Sequence, residues 1–158
     1  MLGPGGNYDA QLRDDGGMRG TLFFDGACGM CTRSRDLLVR LDRTGELRTE
    51  PFQRSGTAER LGVPAQRLAD SAWWMDSSGR VFSGAEAVNA ALAAALGTRL
   101  PLLVYRVPAM RWLQDVLYRW VATHRYRFPG TTPYCESHPE TCGWRDGRGV
   151  GDGRMSPR

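Results

Sequence analysis

The residues best suited to chemistry are two cysteines near the start of the chain. Cys28 and Cys31 form a Cys-x-x-Cys motif, and Asp25 lies three residues before the first cysteine. The motif follows a short apolar segment, residues 21–25, which is closed by Asp25-Gly26 and is typical of a buried strand that runs into a loop. An amphipathic pattern then extends from Cys28 to about Leu41. This order predicts that Cys28 lies at the N-terminal end of a helix.

A thiol in that position is suited to redox chemistry. Unpaired backbone N–H groups and the positive end of the helix dipole favour its thiolate form. As a thiolate, Cys28 is a nucleophile and a good leaving group near neutral pH. Cys31 lies one turn further along and faces inward, where it can resolve a mixed disulfide. The spacing therefore predicts a pair that cycles between dithiol and disulfide, with Cys28 exposed and Cys31 shielded.

Two roles are open for Asp25. If it is ionised and close, its charge opposes thiolate formation at Cys28. A carboxylate partly buried at the end of a strand could instead take the proton from Cys31 when that thiol attacks the mixed disulfide, as a general base. It could also do no more than accept hydrogen bonds from loop N–H groups. The sequence favours neither role.

A zinc site is the main alternative use of the same cysteines. Cys135, His138 and Cys142 lie in a turn-prone segment, and thiolates with imidazole suit Zn²⁺. Such a site needs two distant loops to converge, whereas a redox pair needs only one Cys-x-x-Cys motif after a βαβ start. We therefore predict redox chemistry without a cofactor or metal. The distal cysteines could be idle thiols, a second redox pair or a small metal loop with His138, and the sequence leaves these three open.

Further patterns predict the elements that position the motif. Residues 46–52 indicate a second strand, residues 57–61 a short helical turn, and residues 72–82 a β-hairpin with a tight polar turn. A capping-box spacing starts at Ser83 and opens an alanine-rich helix that Gly97 closes. The resulting order is β-α-β-(α)-β-β-α, which defines an α/β domain.

A second helical region, within residues 101–128, carries much of the positive charge, with five arginines and one aspartate. Without a basic cluster this charge is a weak indication of nucleic-acid binding, and we interpret it as a solvated helix face. A redox-inert interaction module that uses this basic helix as its contact surface is a third functional hypothesis. We expect Trp73, Trp74 and Trp120 to be core aromatics. The apolar face of the helix should pack on the domain and comprises Met110, Leu113, Leu117, Trp120, Val121 and His124.

Length and composition predict one domain with two tails. The chain has 158 residues, 41% of them hydrophobic and 24% charged, as in a single globular domain. Residues 21–130 should form that domain, and residues 1–20 and 131–158 should be flexible tails. No apolar stretch reaches the ~20 residues of a membrane-spanning helix, and the N-terminus lacks the apolar core of a signal peptide. We therefore expect a cytoplasmic protein with four reduced cysteines.

Three segments together resemble the DCC family of predicted thiol-disulfide oxidoreductases. The Asp25-Gly-x-Cys28-x-x-Cys31 motif after an apolar strand is the pattern for which that family is named. Residues 76–87 are similar to its hairpin-to-helix segment, and residues 118–126 to its C-terminal helix signature. The resemblance implies a thioredoxin-like fold with a C-terminal helical extension. It also implies activity of the protein-disulfide reductase type on a disulfide-bearing protein or a small thiol or disulfide. It assigns Cys28 as the attacking cysteine, Cys31 as the resolving cysteine and Asp25 as the acidic residue of the motif.

Two features depart from related patterns. His124 stands where the family usually has Asn before Arg125. In thioredoxins, a cis-proline before the third strand lines the substrate groove, but residues 68–72 contain no proline. The sequence therefore does not define how a partner disulfide docks.

Overall fold

Four strands and six α-helices make up residues 18–143, the part of the chain that the computed structural model describes. In chain order they are β1 (Gly20–Phe24), α1 (Gly29–Leu41), β2 (Leu47–Pro51), α2 (Thr57–Leu61), β3 (Trp73–Asp76), β4 (Val81–Ser83), α3 (Gly84–Leu96), α4 (Leu100–Arg106), α5 (Pro108–His124) and α6 (Tyr134–Ser137). Two 3₁₀ helices, Ala65–Asp70 and Arg125–Arg127, precede β3 and follow α5. The tail predictions for residues 1–17 and 144–158 fall outside the described residues.

The strands form one mixed sheet in the order β2-β1-β3-β4. Strand β1 is parallel to β2 and antiparallel to β3, and β4 is antiparallel to β3. The parallel pair requires a crossover, which α1 supplies. This crossover brings the end of β1 and the start of α1 to the same edge of the sheet, where Asp25 and Cys28 lie. The predicted α/β order is confirmed, and the arrangement is consistent with a thioredoxin-like fold.

Strand β1 supplies alternate side chains to two cores on opposite faces of the sheet. On one face Leu22 and Trp74 pack against the alanine-rich side of α3, and both are buried. On the other face Phe23 packs with Phe52 and Trp73. Alanine side chains are small, so α3 approaches the sheet closely. The prediction that Trp73 and Trp74 are core aromatics is confirmed.

The predicted boundaries of the alanine-rich helix hold, but the reason differs at its start. Helix α3 begins directly after Ser83, which is the N-cap residue, yet the Ser83 side chain makes no capping hydrogen bond. Its end follows the expected pattern, because Gly97 adopts a left-handed conformation with φ of 67° and its N–H bonds back into the helix. The capping box predicted from the sequence is therefore wrong, although the helix begins where it was expected.

Residues 129–143, here called the C-terminal segment, pack against the loop that holds the two cysteines. The Thr131 N–H donates to Gly29 O (3.3 Å), and the Cys135 N–H donates to Gly26 O (2.9 Å). Between them the Tyr134 N–H donates to the Thr32 Oγ1 atom at 3.0 Å. The expected tail is therefore wrong for residues 131–143, because these backbone contacts join the segment to the domain.

Helix α5 packs on the domain through a different face from the one predicted. Its inward contacts include two hydrogen bonds: Tyr118 Oη accepts the Ala72 N–H at 2.8 Å, and Gln114 Oε1 accepts from Asn89 at 2.6 Å. Trp120, predicted as a core aromatic, is 53% exposed and stacks on His124. The other exposed large hydrophobic side chains of α5 are Met110, Trp112, Leu113, Val116 and Leu117. Apolar periodicity predicted the helix but not the side that contacts the domain. Within residues 18–143, no helix is both long and apolar enough to cross a membrane.

Candidate active site

The two cysteines of the motif lie at the N-terminal end of α1, as predicted. Cys28 is the N-cap residue, with extended backbone angles, and its Sγ accepts the Cys31 N–H at 3.3 Å. The Cys31 thiol also donates to Cys28 Sγ, and the two sulfur atoms are 2.7 Å apart without a bond between them. The backbone of the loop is closed by the Cys28 N–H, which donates to Asp25 O at 3.2 Å.

This geometry separates the acidities of the two thiols. The hydrogen bond from the Cys31 thiol is the main reason that the pKa of Cys28 is lowered from 9.0 to about 7. Burial opposes this shift, the Cys31 backbone N–H supports it, and the charges of Asp25 and Arg125 act in opposite directions. The same thiol hydrogen bond, followed by burial, raises the pKa of Cys31 well above its usual range. Cys28 therefore carries the thiolate, and Cys31 keeps its proton.

The accessibility of the two sulfurs is the reverse of the prediction. Cys28 is only 1% exposed, whereas Cys31 is partly exposed. The C-terminal segment explains the burial: Gly130 and Thr131 lie directly against Gly29, so close that a Cβ on Gly29 would overlap Thr131 O. The prediction of an exposed Cys28 is wrong because a segment distant in sequence covers the start of the helix.

Asp25 is buried beside the cysteine pair, with a relative accessibility of 7%. One carboxylate oxygen accepts the Ala27 N–H at 3.0 Å and the Gln53 side-chain N–H at 2.7 Å. The other oxygen lies 3.4 Å from a guanidinium nitrogen of Arg125. The loop-bracing role is therefore present in the structure. Asp25 is also near enough for its charge to raise the pKa of both thiols.

Arg125 is a site residue that the sequence reasoning did not select. It reaches from the end of α5 to Asp25 and also donates to Ala69 O at 3.1 Å and Tyr126 Oη at 3.1 Å. Its side chain is 15% exposed. Burial alone would lower the pKa of Arg125, but the charges of Asp25, Tyr126 and Cys31 and the hydrogen bond to Tyr126 together outweigh it, and the pKa is raised. The family resemblance of residues 118–126 included this arginine and was the one available signal. Nothing in the sequence indicated Gln53.

The loop before β3 is held by the C-terminal helix rather than by a cis-proline. Among residues 18–143 there is no cis peptide bond. Instead, the Ala72 N–H donates to Tyr118 Oη, and Ala69 O accepts from Arg125. Tyr118 and Arg125, which make these two bonds, both belong to residues 118–126, the segment that resembles the C-terminal helix signature. The extension therefore forms part of the wall beside the cysteine pair.

The distal cysteines are joined to each other. Cys135 and Cys142 form a disulfide, and both are buried. The expectation of four reduced cysteines is therefore wrong for this pair. His138 stacks on Tyr134 instead of facing the sulfurs. The sulfurs of Cys135 and Cys142 are joined to each other and are not thiolates, and within residues 18–143 no three His, Cys, Asp or Glu side chains meet as metal ligands.

The fold and the motif define a class: a thioredoxin-like α/β domain whose Cys-x-x-Cys pair starts a helix. The sequence matches the family model described as DCC1-like thiol-disulfide oxidoreductase over residues 22–131, and the chain belongs to that family. No curated protein and no solved structure matches it.

Proposed function

We propose that this protein is a thiol-disulfide oxidoreductase of the protein-disulfide reductase type, with Cys28 as nucleophile and Cys31 as resolving thiol. The family description supports thiol-disulfide oxidoreductase chemistry. The observation that carries the residue assignment is the pair of hydrogen bonds from Cys31 to Cys28 Sγ, one from the thiol and one from the backbone N–H. Both bonds stabilise negative charge on the same sulfur.

In the first step the Cys28 thiolate attacks one sulfur of a substrate disulfide, R–S–S–R′. A bond forms between Cys28 Sγ and the R sulfur, and the substrate S–S bond breaks. The leaving thiolate R′–S⁻ takes up a proton and departs as a thiol. With a pKa of about 7, about half of Cys28 is available as thiolate at neutral pH.

In the second step Cys31 releases the substrate. Formation of the mixed disulfide removes the charge on Cys28, and with it the hydrogen bond that is the main cause of the high Cys31 pKa. The Cys31 thiol then loses its proton and attacks Cys28 Sγ, which forms the Cys28–Cys31 disulfide and expels R–S⁻. Two electrons pass to the substrate, and an external thiol reductant must return them before the next turnover.

Asp25 and Arg125 would act on the second step. Asp25 borders the same cavity as Cys31, where its carboxylate can accept the thiol proton. Arg125 lies against that carboxylate and offsets its charge at the thiolate. In this role Asp25 is the base and Arg125 is a positioning residue. The bracing contacts to Ala27 and Gln53 hold the carboxylate in place for either role.

The proposed substrate is a disulfide-bearing protein or a small disulfide, and the proposed compartment is the cytoplasm. In that compartment glutathione and thioredoxin systems keep thiols reduced. The Cys135–Cys142 disulfide would then depend on its burial for survival.

Trapping of the intermediate tests the proposal. Cys31→Ser should accumulate a mixed disulfide on Cys28 after reaction with a substrate disulfide, whereas Cys28→Ser should trap little. Peptide mapping by mass spectrometry locates the adduct, and bound zinc is assayed in the same sample. Ser137→Ala, which leaves both cysteine pairs intact, serves as the control variant. An adduct on Cys31 would reverse the assignment, and stoichiometric zinc with no reversible thiol loss would replace redox chemistry with the metal site.

A further inference from the structure

A cavity of about 450 Å³ lies beside the cysteine pair, between α1, α3, α5 and the sheet. Three site residues, Asp25, Cys31 and Arg125, form part of its wall. The rest of the wall is largely aliphatic, with side chains from three helices and β1. Among them are Leu22, Leu38, Leu41, Val88, Leu92 and Val121. Nothing in the proposed function assigns an occupant to this space.

Most polar side chains in the wall are already bonded to the protein. Tyr118 Oη accepts the Ala72 N–H at 2.8 Å, and Ser71 Oγ accepts the Gly84 N–H at 2.7 Å. Arg125 is engaged by Asp25 and by the carbonyl of Ala69. A ligand therefore meets mainly apolar surface and does not need to supply hydrogen bonds.

The cavity is also open and of useful size. Leu37 and Val88 belong to its wall and are 58% and 37% exposed, so aliphatic surface continues from the interior to the solvent. Small-molecule sites are concave, mostly apolar spaces of about 300–1,000 Å³ with few polar groups. The cavity wall includes Cys31, the proposed resolving thiol, whose sulfur lies 2.7 Å from the proposed nucleophile Cys28 Sγ.

We infer that this cavity binds the apolar substituent of the disulfide substrate, and so selects disulfides that carry an aliphatic or aromatic group close to the sulfur. The inference rests on the proposed function. An apolar group seated between α1 and α5 would hold its sulfur beside the cysteine pair, in a chain that has no cis-proline among its described residues to align a partner strand. The thiol exchange steps and their electron balance are unchanged. The substituent could belong to a small dialkyl disulfide or to an apolar side chain next to a cysteine in a peptide.

A matched pair of small disulfides tests this selectivity. Dipropyl disulfide and bis(2-hydroxyethyl) disulfide have the same number of heavy atoms, and each would be mixed in excess with the fully reduced protein. Formation of the Cys28–Cys31 disulfide is followed by acid quench and mass spectrometry. Each rate is divided by the rate of the same disulfide with free dithiothreitol, which corrects for intrinsic reactivity. Dipropyl disulfide should react faster, and each further methylene that enters the cavity should add about fourfold.

Two further arms localise the effect. Ala122 lies in the cavity wall and Val116 on the exposed side of the same helix. Ala122→Phe should therefore remove the preference for dipropyl disulfide, and Val116→Phe should keep it. If Ala122→Phe does not fold, 1-hexanol is added to the wild-type protein instead. This alcohol should occupy the cavity and slow the reaction with dipropyl disulfide more than the reaction with bis(2-hydroxyethyl) disulfide. Peptide disulfides with Leu or Ser next to cysteine distinguish a protein substrate from a small one.

The outcomes separate the two proposals. Reaction with all disulfides at the same corrected rate, with no effect of 1-hexanol, would overturn the cavity assignment and leave the redox function intact. Reaction with none of them would overturn the redox function itself. A preference for Leu peptides without a preference among dialkyl disulfides would assign the cavity to a protein side chain.

Discussion

The two cysteine pairs of this chain have opposite environments. Cys28 and Cys31 are separated by two residues in sequence and lie at the start of a helix. Their sulfurs are 2.7 Å apart and unbonded, and the thiolate form of Cys28 is stabilised. Cys135 and Cys142 are joined by a disulfide and buried, and Cys135 Sγ lies 3.8 Å from Gln53 Oε1. Reactivity therefore follows from what surrounds a sulfur more than from the presence of a second cysteine nearby.

The pairs are nevertheless neighbours. The Cys135 N–H bonds to Gly26 O, in the loop that leads to Cys28, and Gln53 contacts both Cys135 Sγ and the carboxylate of Asp25. The joined pair holds the C-terminal segment that covers the free pair. We propose that the first pair carries the chemistry and that the second pair holds the segment that covers Cys28, and the following changes test these two roles.

The largest graded effect is expected at Asp25. Asp25→Asn keeps the size of the side chain and the acceptor for the Ala27 N–H, but removes the proton acceptor for Cys31. Formation of the mixed disulfide should persist while its resolution slows by about 10² to 10⁴. The defect should shrink as pH rises, because solvent base then replaces the carboxylate. Stopped-flow measurement from pH 6 to 9 gives the rates of formation and of resolution of the mixed disulfide. If both rates fall equally, thermal stability is lowered and high pH does not restore resolution, Asp25 only braces the loop.

A smaller effect is expected from opening the distal disulfide. The double variant Cys135→Ser, Cys142→Ser should loosen the C-terminal segment and increase the rate at which iodoacetamide alkylates Cys28 several-fold. Ser137→Ala, in the same segment, should leave that rate unchanged. Truncation after Gly130 should act in the same direction as the double variant, whereas the tail interpretation of the sequence predicts no effect. An unchanged alkylation rate in both the double variant and the truncated protein would show that the C-terminal segment does not limit access to Cys28.

The smallest effect is expected at Arg125. Its charge lowers the pKa of Cys28, so Arg125→Gln should raise that pKa above about 7 and reduce alkylation at neutral pH by a few-fold. Arg127→Gln, an exposed arginine two residues away, is the control. Alkylation rates measured from pH 5 to 10 give the midpoint for each variant. A shift of the same size in both variants would indicate a general charge effect instead of a specific position.

The sequence predicted what depends on local pattern. The apolar segment before Asp25 and the helix that starts at Cys28 follow from periodicity and spacing, and both were correct. The cover over Cys28 could not be predicted, because it depends on backbone contacts between Gly29 and Thr131, about a hundred residues apart. The prediction of the face by which α5 contacts the domain was wrong for a related reason. That face includes Tyr118 and Gln114, whose hydrogen bonds to the domain cannot be predicted from apolar periodicity.

The titration of Cys28 in the reduced protein tests the central claim most directly. Because its pKa in the fold is lowered from 9.0 to about 7, ionisation of Cys28 should stabilise the fold increasingly as pH rises from about 7 toward 9, and this contribution should be lost as pH falls through 7. Thiolate absorbance and the alkylation rate, followed together with peptide mapping, should show one midpoint near 7 that belongs to Cys28. A first midpoint near 9, or modification of Cys31 before Cys28, would contradict the account.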